Sequence, residues 1–119
     1  MKLSDAEWTV LEILWQGDAF TLGEITAALK HINAWSSKTV YTYLTRMEAK
    51  GLVAINRSEN APYSAAVARE DCVKNERHEL LNRAYKGAAG DLIAAFLKES
   101  HISAEEKERL RSLLDDMEV

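Results

Sequence analysis

The chain has one cysteine, Cys72, and one proline, Pro62. A lone thiol closes no intrachain disulfide, forms no CxxC redox pair and builds no cysteine-rich metal site. Five glycines among 119 residues exclude a fibrous or disordered class. No apolar run approaches the roughly 20 residues of a membrane-spanning helix. Acidic residues stand near the N-terminus where a signal peptide would be apolar, so the expected location is the cytoplasm. There is no positive excess either. A formal charge of −4 implies weak non-specific binding to nucleic acid, because few counterions would be released. His31, His78 and His101 have no metal-ligand spacing and do not cluster with Cys72. The acids form no paired arrangement and no glycine-rich phosphate loop occurs, so no metal, cofactor or enzyme active site is expected.

What is present is globular. A hydrophobic content of 47% supplies a modest core. A chain this short buries a small share of its surface, which makes pairing with a second copy physically attractive. The charge is unevenly placed. Between Ser37 and Arg57 stand Lys38, Arg46, Lys50 and Arg57 against Glu48 alone, and such a local positive patch can meet phosphate while the remainder stays acidic.

Ser4 followed by Glu7 reads as a capping box opening a first helix over 4–15, with Trp8, Leu11 and Trp15 on one face and Leu14 extending it. Both tryptophans are expected in the core. Gly17 and Asp18 end this run. Thr21 and Glu24 open a second helix to about residue 30 that should bury Ile25, Ala28 and Leu29. After a turn that Trp35 is expected to pack, Ser36 or Ser37 caps a third helix to about residue 49. Its inward stripe is Val40, Leu44 and Met47, and Gly51 is its stop. The period then changes. Leu52, Val53 and Ile55, then Tyr63, Ala65 and Val67, read as two strands joined by the turn residues Ser58 to Pro62. Three short helices and a hairpin predict a winged helix-turn-helix over 1–68, so the fold is mostly α with a small β-hairpin.

From 69 to 119 the pattern is helical again. Cys72, Glu76, Leu80 and Tyr85 lie near one face, and Gly87 and Gly90 mark a break. Leu92, Ile93, Phe96 and Leu97 form a short apolar stripe. A capping box at Ser103 and Glu106 starts a last helix with Leu110, Leu113, Leu114 and Met117. These stripes are too slight for an independent core. They are expected to meet a symmetry mate and form a homodimer, with Cys72 either buried or at that interface.

The outer face of the third helix is the candidate site. Ser37, Thr39, Thr42 and Thr45 supply hydroxyls, Lys38 and Arg46 supply charge, and Tyr41 sits among them. At the helix start, hydroxyls and cations suit phosphate oxygens, because free backbone N–H groups point the same way. Tyr41, Thr42 and Thr45 stand mid-helix, where a helix lying in the major groove reaches base edges, and Arg46 suits guanine or phosphate. Arg57 on the wing suits a phosphate or the minor groove equally as it suits an exposed strand end, while Glu59 at the tip would repel DNA. The expected partner is double-stranded DNA. The alternative is a winged-helix adaptor whose third helix docks a protein.

The segments SDAEW…VL.ILW at the start, WSSKTVYTYLTRMEAKGLV at 35–53 and LLNRAYKGAAGDLIAAFL at 80–97 resemble the penicillinase and methicillin-resistance repressors and their copper-responsive relatives. The resemblance spans nearly the whole chain. It implies a homodimeric repressor on a palindromic operator, with base or phosphate roles for Ser37, Lys38, Thr39, Thr42 and Arg46 and with interlocked C-terminal helices. It also implies cleavage of the dimerisation segment by a sensor-protease just before a phenylalanine, here the Ala95–Phe96 bond. The chain departs from that family pattern at three places. Ala95 stands where Asn is usual, Glu59-Asn60-Ala61 replaces a wing Gly-Arg pair, and the end RSLLDDMEV lacks the cysteine-rich motif of copper sensors.

Overall fold

The computed structural model describes residues 2–117; Met1, Glu118 and Val119, at the outer ends of the two expected segments, lie outside the described residues. The chain divides into two compact units, one up to Arg77 and the other from His78.

In the first unit, helix α1 (Asp5–Leu14) begins with a reciprocal cap. The Ser4 hydroxyl accepts from the Glu7 amide, and the Glu7 carboxylate accepts from the Ser4 amide. Helix α2 (Leu22–Leu29) starts the same way at Thr21 and Glu24. Helix α3 (Ser37–Ala49) is capped by Ser36, whose hydroxyl accepts from the Thr39 amide. Each cap satisfies amides that the first turn leaves without an acceptor. The end of α3 is equally defined. Gly51, at φ +81°, lets its own N–H reach the Glu48 carbonyl at 3.0 Å and the Leu52 N–H reach the Met47 carbonyl at 2.9 Å. Leu52 and Met47 are both buried, which completes a Schellman stop with its apolar contact.

The same turn points the chain into β1 (Val53–Ile55), which pairs antiparallel with β2 (Tyr63–Ala65) in the register Val53–Ala65, Ala54–Ser64, Ile55–Tyr63. Tyr63 also bonds on its other side to Phe20, with N···O distances of 2.8 and 3.0 Å. A third piece of extended chain thus ties the hairpin to the α1–α2 connection. Leu52 belongs to the helix stop rather than to the strand, and Val67 lies beyond β2. Val10, Leu11, Ile25, Leu29, Val40, Leu44 and Met47 are fully buried where α1, α2 and α3 meet over this hairpin. These elements form a winged helix-turn-helix, and the expected third-helix stripe is its buried face.

Three expectations need correction. Trp8 and Trp15 rim the core instead of filling it: both are half-buried and meet edge to face at 5.9 Å. An indole buried outright would strand its N–H. At the rim, Trp15 Nε1 donates to the Val67 carbonyl at 2.9 Å and fastens the chain after the wing to α1. The face of α1 that turns inward is Glu7, Val10, Leu11 and Leu14, an i, i+3, i+4, i+7 set that starts with a carboxylate. Ala28 is exposed, since the inward side of α2 runs through Leu22, Ile25, Thr26 and Leu29. Gly90 lies inside a helix, and the break is made by Lys86 (φ +51°) and Gly87 (φ +85°) alone.

Helix α4 (Arg69–Tyr85) starts at the expected domain boundary, but its first turns belong to the first unit, and Arg69 Nε reaches Glu12 Oε1 on α1 at 2.9 Å. Cys72 is half-buried against the core of that unit, where burial, with Asp71 adding to it, pushes its thiol up. The second unit holds the end of α4, then α5 (Ala89–Glu99) and α6 (Ala104–Asp116), the last opened by the Ser103–Glu106 capping box. No residue of α5 or α6 is buried. Ile93, Phe96 and Leu97 on α5 and Leu110, Leu113, Leu114 and Met117 on and after α6 are exposed; Leu80, Tyr85 and Leu92 are half-buried. An open groove of about 440 Å³ runs between α5 and α6, lined by Leu97, Ile102, Leu110 and Leu114.

Candidate nucleic-acid interface

With Val40, Leu44 and Met47 turned inward, helical geometry sets the opposite side of α3 toward solvent. Ser37, Lys38, Tyr41, Thr45 and Arg46 are exposed there, Tyr41 to 51%, and Thr39 and Thr42 are half-buried. At the N-terminal end, the amides of Ser37 and Lys38 have no acceptor within the helix, which gives this end its partial positive charge. The threonine hydroxyls are partly engaged. Thr42 Oγ1 donates to the Lys38 carbonyl at 3.0 Å and Thr45 Oγ1 to the Tyr41 carbonyl at 2.9 Å. Each has therefore committed its proton to the helix and offers outward an acceptor oxygen and a methyl group.

The four cations of the positive stretch divide into two pairs of different standing. Lys50, at the C-cap of α3, donates to Glu7 Oε2 at 2.7 Å. Arg57, at the wing, is held end-on by Glu48 of α3, with Nη1–Oε2 and Nη2–Oε1 both 3.1 Å. Among the described residues, no ion pair involves Lys38 or Arg46. The free positive charge on this face is thus concentrated on Lys38 and Arg46, one near each end of α3.

Three contacts support this helix; the packing of the turn by Trp35 was expected, while Lys50 as the partner of Glu7 and Glu48 as the partner of Arg57 were not. Glu7 is only 4% exposed, yet both its oxygens are bonded, one to the Ser4 amide and one to Lys50. Burial pushes its carboxyl up, but Lys50 and the Ser4 amide outweigh that and hold it below the usual carboxylate range. Trp35 stacks on Tyr43 of α3, with centroids 4.4 Å apart and planes 11° from parallel, and so packs the turn against the helix it precedes. Arg57 draws the Glu48 carboxyl down through the paired hydrogen bonds. The capping box was a visible signal for Glu7. Nothing in the spacing of Glu48 and Arg57 signals their contact, because it depends on how the Gly51 turn aims the strand.

The family model described as penicillinase repressor matches residues 3–116. The chain belongs to the penicillinase repressor family. It is similar to the penicillinase repressor of Staphylococcus aureus, at 30% identity over 98% of this chain and 94% of that one. The penicillinase repressor of Bacillus licheniformis is 29% identical over 97% of this chain and 91% of its own. The methicillin resistance regulatory protein MecI of Mammaliicoccus sciuri is 28% identical over 96% and 94%. Among solved structures, the DNA binding domain of the repressor BlaI superposes with a TM-score of 0.51 at 28% identity, covering 60% of this chain and 93% of that one. The winged helix-turn-helix described above is thus a fold of this family. Among the described residues, no helix is long and apolar enough to cross a membrane, and no three His, Cys, Asp or Glu side chains gather as a metal site.

Proposed function

We propose that this chain is a transcriptional repressor that reads DNA with α3. The observation that carries the reading is the outer face of α3. It is a solvent-facing helix surface on which, among the described residues, Lys38 and Arg46 enter no ion pair, on a helix fixed from behind by Trp35–Tyr43 stacking and Glu7–Lys50 pairing. Family membership supports it, since the relatives are named repressors and one domain is named for DNA binding. In this reading the Ser37, Lys38 and Thr39 end meets phosphate, Tyr41, Thr42 and Thr45 face base edges, and Arg46 meets guanine or phosphate. The threonine methyls are suited to thymine methyl groups.

Residues 1–68 act as the DNA-binding domain and 69–119 as the dimerisation segment. The exposed stripes of α5 and α6 support the second assignment, because burying each such Leu or Phe would contribute about 1.5–3 kcal/mol. A two-fold dimer calls for a palindromic operator, and occupancy overlapping a promoter would block polymerase. The family resemblance would put a sensor-protease cut at the Ala95–Phe96 bond, although Ala95 departs from the usual Asn there, and such a cut would separate the two DNA-reading arms. That bond lies inside α5, so cleavage requires the helix to open first.

Selection of random duplex DNA with purified protein at two salt concentrations tests the function. Enrichment of a palindrome, with affinity falling as salt rises, is the expected result. A folded protein that enriches no sequence would instead be a protein-docking adaptor.

A further inference from the structure

Arg57 stands just past β1 on the wing, where the DNA-binding reading would let it reach a phosphate, yet its guanidinium is turned to α3 of its own chain. Both terminal nitrogens are taken by the two oxygens of Glu48, and the side chain is otherwise 66% exposed. The edge of a guanidinium that grips a carboxylate with two parallel hydrogen bonds is an edge that grips a phosphate in the same way. A phosphate approaching Arg57 must therefore displace Glu48 or share the cation with it. While the pair is closed, its net charge is zero and it releases no counterion on binding. We infer that Glu48 is an intramolecular competitor for the DNA backbone, occupying Arg57 and holding the phosphate affinity of the wing low.

This rests on the DNA-binding reading of α3 and adds a part to it that sets affinity. Glu48 is well suited to the role. Its backbone carbonyl anchors the Gly51 stop while its side chain reaches the wing, so the carboxylate can be changed without disturbing the end of the helix. The Lys50–Glu7 pair is not equivalent, because there the carboxylate is buried and belongs to the core of the unit.

The test is binding of a labelled mixed-sequence DNA duplex between about 50 and 200 mM salt, a range over which phosphate contacts dominate the change in affinity. Glu48→Gln keeps the shape and removes the charge. It is expected to bind up to about five-fold tighter at the low-salt end for each protomer engaged, the range set by an exposed ion pair, with the log–log salt slope steeper by up to about 0.9. The double variant Glu48→Gln/Arg57→Gln replaces one neutral pair by another and should return to parental affinity and slope. Glu48→Gln binding like the parent or more weakly would overturn the proposal. So would a double variant as tight as Glu48→Gln, since Glu48 would then act by repelling phosphate directly and not through Arg57. Failure of the parent to bind any duplex would sink the DNA-binding reading itself, and the competitor with it. A parent that binds, beside an unchanged Glu48→Gln, would sink the competitor alone.

Discussion

Glu7 shows how a charged side chain can belong to a core. Its carboxylate is buried on the inward face of α1 because one oxygen caps its own helix and the other pairs with Lys50 at the end of α3. Glu7→Gln keeps an acceptor for the Ser4 amide and loses the charge, and should destabilise the protein by about 1–2 kcal/mol in urea unfolding. The sign of the pH dependence follows. Glu7 titrates lower in the folded chain than the ordinary glutamate value of 4.5, so its contribution is complete above that value. It is lost as pH falls through the depressed folded value. The stability gap between parent and Glu7→Gln should therefore close on acidification, and a gap that stays constant from neutral pH into acid would refute the pairing. Gly51 is a second residue with a single physical reason. A methyl group there meets nothing within 4 Å, so the cost of Gly51→Ala comes from φ +81° alone. About 1–2 kcal/mol is expected, and an unchanged urea midpoint would show that the turn relaxes.

At the level of elements, α3 is assembled from constraints at both ends and along its back. Ser36 starts it, Gly51 stops it, Trp35 stacks along it, and Lys50 ties its end to α1. A helix held in this way presents its outer face without having to order it on contact. Arg46, exposed on that face, contributes nothing visible to the fold. Arg46→Ala should weaken operator binding by about ten-fold while leaving the helical circular dichroism intact. A drop in the salt slope would assign Arg46 to phosphate, and a changed base preference at one position would assign it to a base edge. Undiminished affinity would remove it from the interface.

At the level of the molecule, the two units differ in how far they satisfy themselves. The first has a closed core from Leu3 to Tyr63. The second leaves Ile93, Phe96, Leu97, Leu113 and Leu114 in water, with Leu113 60% exposed. Apolar stripes at i, i+3, i+4 spacing on α5 and α6 are the surface a second copy would cover. Leu113→Asp should shift sedimentation toward the monomer and weaken binding to a palindrome far more than to a half-site. A variant that remains fully dimeric would place the interface elsewhere.

The order of elements, the four capped helix starts, the Gly51 stop and the inward stripe of α3 were legible in the amino-acid sequence, because each depends on residues within about one or two turns of one another. The exposed α3 face followed from the same periodicity. What the sequence could not show was which flank of α1 turns inward. Trp8, Leu11, Trp15 and Glu7, Val10, Leu11, Leu14 are both helical stripes, and only packing against α2 and β2, with Lys50 available to Glu7, selects the second. The Phe20–Tyr63 bridge, the Trp15–Val67 bond and the Glu48–Arg57 pair likewise join residues whose distance is set by the closed fold. Local chemistry determined where each element begins and ends. Tertiary structure decided which charges are spent inside the protein and which remain for a partner, because an ion pair depends on distance in space and not along the chain.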